Sequence, residues 1–144
     1  MKGFIIQAEW CEKILLGKRS AYKKTWEIRG MGCNQLDEDI ALIESSSGGR
    51  GQIIGTFKVR AVHGPFTLRQ LMQRDRIKKH QVSPHALREW GGYRKGNYCW
   101  EIYDVVRFNK PVDYDHPHGA VIWVGEDSIP QRKVLNQKKL GVAV

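Results

Sequence analysis

The chain has 144 residues, 41% of them hydrophobic, and a formal net charge of +9. That length suits one domain with a real core. No run approaches the roughly 18 to 20 apolar residues of a membrane helix, and the N-terminus turns polar by Gln7, so a cytoplasmic protein with neither signal peptide nor membrane partner is expected.

Gly3 to Gln7 reads as a short strand, and Glu9 to Leu16 carries Trp10, Ile14 and Leu15 at helical spacing until Gly17 stops it. Lys18 to Lys23 is a basic loop. Thr25-Trp26-Glu27-Ile28-Arg29 then alternates polar and apolar, predicting a half-buried strand with Thr25, Glu27 and Arg29 on one face and Trp26 and Ile28 towards the core. Asp39 to Glu44 and Gln52 to His63 are two further strands, joined through the Ser45 to Gly51 run of serines and glycines. Thr67-Leu68-Arg69-Gln70 is a capping-box pattern, and Ser83-Pro84 sets an N-cap residue before a helical proline, so two short helices are expected there. Tyr98 to Phe108 is rich in β-formers, Pro111 and the Asp113 to Gly119 stretch read as a loop, and Ala120 to Val124 as a last strand. This leaves 1–125 as the domain and 126–144 as a polar, basic tail of loose order. About six strands, a few short peripheral helices and no regular βαβ alternation predict an α+β fold, a mixed sheet closed into a small barrel.

Charge and cysteine usage narrow the function. Between Lys13 and Arg29 six cations face one carboxylate, Glu27, and between Arg69 and Lys95 eight face two. Two such segments, brought together, would attract a polyanion and release its counterions. Cys11, Cys33 and Cys99 lack zinc-ligand spacing and an even count, as buried thiols in a reducing compartment would.

The segment from Lys24 to Arg29 concentrates an amine, a hydroxyl, a carboxylate and a guanidinium. A short helix with Trp10, then Gly17, then the Lys-x-x-Glu-x-Arg strand formed by Lys24, Glu27 and Arg29 resembles the ASCH family, built on a PUA-like barrel. The resemblance runs on through Ala41 to Glu44, Ile54-Gly55-Thr56, Trp100, Pro111 and Gly119 to Trp123, roughly residues 3 to 124. It implies a cleft beside the barrel that accepts RNA, other single-stranded nucleic acid or a modified nucleoside. Some relatives bind RNA, some cleave it, and small bacterial members hydrolyse the amide of N4-acetylcytidine with the matching lysine and the residue three further on. Here that residue is Glu27, where the small enzymes have threonine. The loop before Lys24 is also longer than usual, so Lys18 competes with Lys24 for the lysine's place.

Lys24 and Glu27 are the candidate catalytic pair, with a structural ion pair as the alternative. A lysine serves as general base only when its pKa falls by about three units. The ligand-contact candidates are Trp10, Tyr22, Lys23, Lys24, Thr25, Arg29 and Ser47, with Tyr22, Trp90 and Tyr93 suited to base stacking and Trp100 and Trp123 to packing. Asp113 to His118 reads as a surface turn rather than a metal site, so no metal or cofactor is expected. His63, His80 and His85 look isolated. Three readings stay open: an RNA-binding domain, a metal-independent ribonuclease or nucleoside amidohydrolase, and a protein-interaction module of transcription or translation.

Overall fold

The computed structural model describes residues 1–119 and 122–144. Among these residues seven strands form one sheet in the order β2-β5-β4-β3-β1-β6, with β7 also pairing β5. β1 (Lys2–Ile6) leads into α1 (Ala8–Ile14), β2 (Trp26–Arg29) and β3 (Ile40–Glu44). β1 and β3 pair in parallel, and every other ladder is antiparallel. β3 is buried at every position, as a strand covered on both faces must be.

β4 (Ile53–Phe66) and β5 (Asn97–Val112) are the long strands. Their register slips at Ile53/Gly55, Thr56/Lys58, Val59/Ala61 and His63/Phe66. Each irregularity bends the ladder and adds twist, which curls the sheet into a half-barrel. Inside lie Phe4, Ile14, Leu42, Phe57 and Trp100. The expected α+β, PUA-like architecture is present, with the sheet curled rather than flat.

α2 (Leu68–Leu71), α3 (Arg74–His80) and α4 (Pro84–Trp90) lie between the long strands. The caps read from the sequence are in place: Thr67 Oγ1 accepts from the Gln70 N–H, Gln70 Oε1 from the Thr67 N–H, and Ser83 Oγ from the Ala86 N–H. Leu71, Val82 and Leu87 from this region pack on Trp26, Ile28 and Cys99. All three thiols are free and buried.

β5 offers one edge to two partners. Its first half pairs β2, from Trp26↔Glu101 to Arg29↔Tyr98, and its second half pairs β7 (Val142–Ala143) at Val106 and Arg107. This corrects the expectation of a loose tail. Residues beyond Gly125 form a 3-10 turn (Glu126–Ser128), α5 (Gln131–Leu140) and β7. Ile129 and Val134 enter the core beside Ala41, Ile43 and Phe108, Lys138 pairs with Asp39 at 2.8 Å, and Gln131 binds both backbone and amine of Met1. The segment reads as polar because only one stripe of α5 is apolar. Two further expectations shift: Pro111 belongs to β5, and β6 is Trp123–Val124, since Ala120 and Val121 lie outside the described residues.

Truncation after Gly125 removes the buried Ile129 and Val134 side chains, each contributing about 1.5–3 kcal/mol. A melting temperature lower by roughly 10 °C or more is expected in thermal denaturation followed by circular dichroism; an unchanged melt would show that the tail does not hold the core.

Candidate functional site

β2 sits at the sheet's edge with α1 on one side and the α3–α4 region on the other. A cavity of about 350 Å³ opens there, lined by Gln7, Glu9, Trp10, Lys24, Glu27, Ile28, Arg29, Val82, Ala86, Trp90 and Tyr93. Backbone hydrogen bonds fix its frame. The Lys24 N–H donates to Lys13 O at 3.0 Å, the Thr25 N–H to Lys79 O at 2.9 Å, and the Ile102 N–H to Thr25 O at 2.7 Å. The two cation-rich stretches of the sequence are thereby stitched together beside one cavity.

Lys24 is 1% exposed. Its amine donates to the backbone carbonyl of His80 at 2.6 Å, stands 3.6 Å from Glu27 Oε1 and lies 4.8 Å from the centre of the Trp10 ring. Burial holds this amine below the ordinary lysine range, opposed by the Glu27 carboxylate and assisted by Lys13. Glu27 is buried too, and its Oε1 also accepts from the Ile28 N–H at 3.2 Å. The expected half-buried strand is thus corrected: Trp26, Glu27 and Ile28 are all buried, and Glu27, Ile28 and Arg29 all line the cavity.

Arg29 enters the cavity with its guanidinium 4.8 Å from the Phe4 ring and 6.0 Å from Tyr93. Its Nε is buried and has no hydrogen-bond partner among the described residues. A buried donor left unpaired costs about 1–3 kcal/mol, and the residue itself lines the cavity. Trp90 and Tyr93 meet edge to face at 4.9 Å and 85°. Two devices hold Tyr93: the Asn97 side chain accepts its N–H and donates to Phe66 O, and Gly30 leaves room where a Cβ would come 2.9 Å from the ring.

The structure brings Trp10, Lys24, Glu27 and Arg29 together, along with the stacking candidates Trp90 and Tyr93. Tyr22 and Lys18 are exposed on the loop and do not line the cavity. Lys23 turns away from it, donating to Ile14 O and Leu16 O at the end of α1, where burial and Lys18 lower its pKa to about 8. Thr25 contributes through its backbone. Ser47 belongs to the β3–β4 loop, on which Arg50 folds back to Glu44 through its backbone N–H, away from the cavity. In the 113–119 loop His116 bonds Tyr114 at 2.8 Å, and no group of three His, Cys, Asp or Glu gathers as for a metal among the described residues.

His80 looked isolated in the sequence and is not. It is fully buried, with Nδ1 accepting from the Val82 N–H at 3.0 Å and Nε2 2.8 Å from Leu71 O. Gln7, Glu9, Val82 and Ala86 were also missed as lining residues. Ala86 and Trp90 stand four apart on a helix that the Ser83-Pro84 cap announces, so that face was within reach of the sequence. His63, for its part, pairs with Glu101 at 2.9 Å and stacks on Trp26.

No family model matches the chain, and no curated protein does. Among solved structures it is similar to an ASCH protein from Zymomonas mobilis, at 15% identity and a TM-score of 0.64, over 99% of this chain and 96% of that one. Two single-residue variants of that protein match at 14% identity and a TM-score of 0.63, over 98% of this chain and 96% and 98% of theirs. The chain therefore has the ASCH-domain fold. Among the described residues no helix is long and apolar enough to cross a membrane.

Burial lowers the His80 pKa from 6.5 to about 4. The unfolded chain therefore takes up this proton first, so stability is complete above pH 6.5 and falls by about 3 kcal/mol as pH drops towards 4. Urea denaturation between pH 4 and 8 measures the slope, which is expected to flatten in His80→Asn.

Proposed function

We propose that the cavity seats one unstacked base of single-stranded RNA while the surrounding basic segments hold the flanking phosphates, in a cytoplasmic setting. One observation carries this reading: three aromatic rings, from Trp10, Trp90 and Tyr93, line a single cavity together with Arg29. The volume falls in the range of small-ligand sites. Aromatic walls suit any base, since every base has a stacking face, and Arg29 supplies a donor for a carbonyl or phosphate oxygen. Lys78, Lys79, Arg88, Arg94 and Lys95 are exposed around the α3–α4 side, giving the backbone of a bound strand its counter-charge. The ASCH resemblance points to the same class of ligand.

A second reading, hydrolysis, has its own observation. The Lys24 amine, lowered in pKa by burial, lies at the cavity wall within 3.6 Å of Glu27. An amine of that kind takes a proton from water or a ribose hydroxyl more readily than an exposed lysine, and Glu27 can receive and return it. Glu27 also works against this chemistry by favouring the charged amine. Binding is thus the leading function, and turnover of RNA or of a modified nucleoside such as N4-acetylcytidine is the alternative.

Fluorescence anisotropy with short labelled single-stranded RNA tests the first reading. Affinity is expected to fall steeply with added salt. Trp90→Ala is expected to weaken binding by about 1–3 kcal/mol, the value of one stacked base. Affinity that stays flat from low to high salt, or that ignores Trp90, would overturn it.

The second reading needs a variant that does not simply unfold. Lys24→Ala would leave a void and an unpaired buried carboxylate, a loss of about 3–5 kcal/mol. The double variant Lys24→Met, Glu27→Gln removes both charges at similar volume. Incubated with RNA and with N4-acetylcytidine in the presence of chelator, the native protein is expected to form products and the folded double variant none. Equal product from both would assign the turnover elsewhere.

A further inference from the structure

The lysine at the cavity wall is anchored by a carbonyl whose direction is set from behind. His80 ends α3, and the next residue, Gln81, takes the left-handed conformation at φ 63°. The chain turns sharply there, and its two neighbours on either side serve the cavity: the His80 carbonyl accepts from Lys24, and Val82 lines the wall. The His80 imidazole spans that turn. It has no solvent exposure, and both ring nitrogens are engaged by groups of fixed polarity. A backbone N–H can only donate, so Nδ1, facing Val82 N–H at 3.0 Å, must be the acceptor. A carbonyl can only accept, so Nε2, 2.8 Å from Leu71 O, must carry the proton. One neutral tautomer satisfies both bonds.

We propose that His80 is the positioning residue of the cavity: its Nε2–H tautomer, by accepting the Val82 N–H, aims the residue-80 carbonyl at Lys24 and so sets where the amine stands against Glu27 and the ligand. The bond to Leu71 ties the ring to α2, while the bond to Val82 closes the turn itself. The second bond is therefore the one that directs the carbonyl. The charged and titratable groups around the amine are Glu27 from β2, Lys13 from α1 and Cys99 from β5. Without the closed turn the His80 carbonyl loses its aim at the amine, and Lys24 is expected to move towards an ordinary hydrated lysine. The link to ligand affinity rests on the RNA-seating reading given above; the link to Lys24 does not.

Two substitutions separate the bonds. In His80→Asn the side-chain carbonyl replaces Nδ1 and accepts from Val82, whereas in His80→Gln the longer amide replaces Nε2 and donates to Leu71. NMR titration of the Lys24 side chain is the direct readout. The native protein and His80→Asn are expected to titrate together, below the ordinary lysine range, and His80→Gln is expected to move up towards it. RNA affinity is expected to fall about tenfold in His80→Gln and to stay within about twofold in His80→Asn. If the two variants shift Lys24 alike, or neither does, His80 is a packing residue and the proposal fails. Imidazole nitrogen shifts of the native protein give an arm that needs no variant: an Nδ1–H tautomer would overturn the proposal outright. A Lys24 shift in His80→Gln with no RNA binding by any form would uphold the positioning role and sink the RNA reading alone.

Discussion

A charged amine withdrawn from water must be answered locally, and that requirement at Lys24 governs the architecture of this protein's working end. Its own N–H goes to Lys13 on α1, its amine to the end of α3 and to Glu27 on β2, and its neighbour Thr25 ties α3 to β5. Four elements, two of them more than forty residues further along the chain, meet on two adjacent residues. An isolated buried ion of this kind would cost several kcal/mol, so the partners are a condition of folding as much as of function. The same closure helps build the cavity, because Trp10 is carried in on α1 and Val82 follows directly on the end of α3.

The cavity combines saturated and unsaturated polar groups in a way that separates scaffold from contact. The Lys24 amine and Glu27 Oε1 are already engaged within the protein, whereas the Arg29 Nε is not. The aromatic faces of Trp10, Trp90 and Tyr93 and the Arg29 side chain make up the rest of the lining. A lysine so well held gains positional definition and gives up freedom to reach, which suits recognition better than it suits a mobile base. Hydrolysis would ask the same lysine to loosen one of its bonds.

Much of the fold was legible because local chemistry and tertiary role agreed. The Thr67 and Ser83 caps and the apolar run of β3 each mean the same thing alone and in the whole. The tail was misjudged because α5 buries a single stripe, and a helix held by Val134 alone in its core-facing row looks polar to any window average. At the site, spacing identified Lys24, Glu27 and Arg29, and the neighbouring charges pointed to Trp90 and Tyr93. It could not reveal that Lys23, one residue earlier, caps α1, or that His80 lies beneath Lys24. Those depend on which way a loop turns and which helix end arrives, and neither leaves a periodic trace. Ser47 offers a hydroxyl but sits on the β3–β4 connection and is not among the cavity-lining residues.

That same connection has a practical side. Glu44 is buried and gathers the returning chain around its carboxylate, and a Cβ at Gly49 would lie 2.4 Å from Ser45 O. The descending limb of the loop is thus as constrained as a core position. At Gly48, by contrast, nothing stands within 4 Å of where a side chain would begin, although its φ of +81° favours glycine. A probe, affinity tag or inserted peptide is therefore best spliced at Gly48, away from the limb that Glu44 holds and from the cavity lining, which gives this small domain a handle.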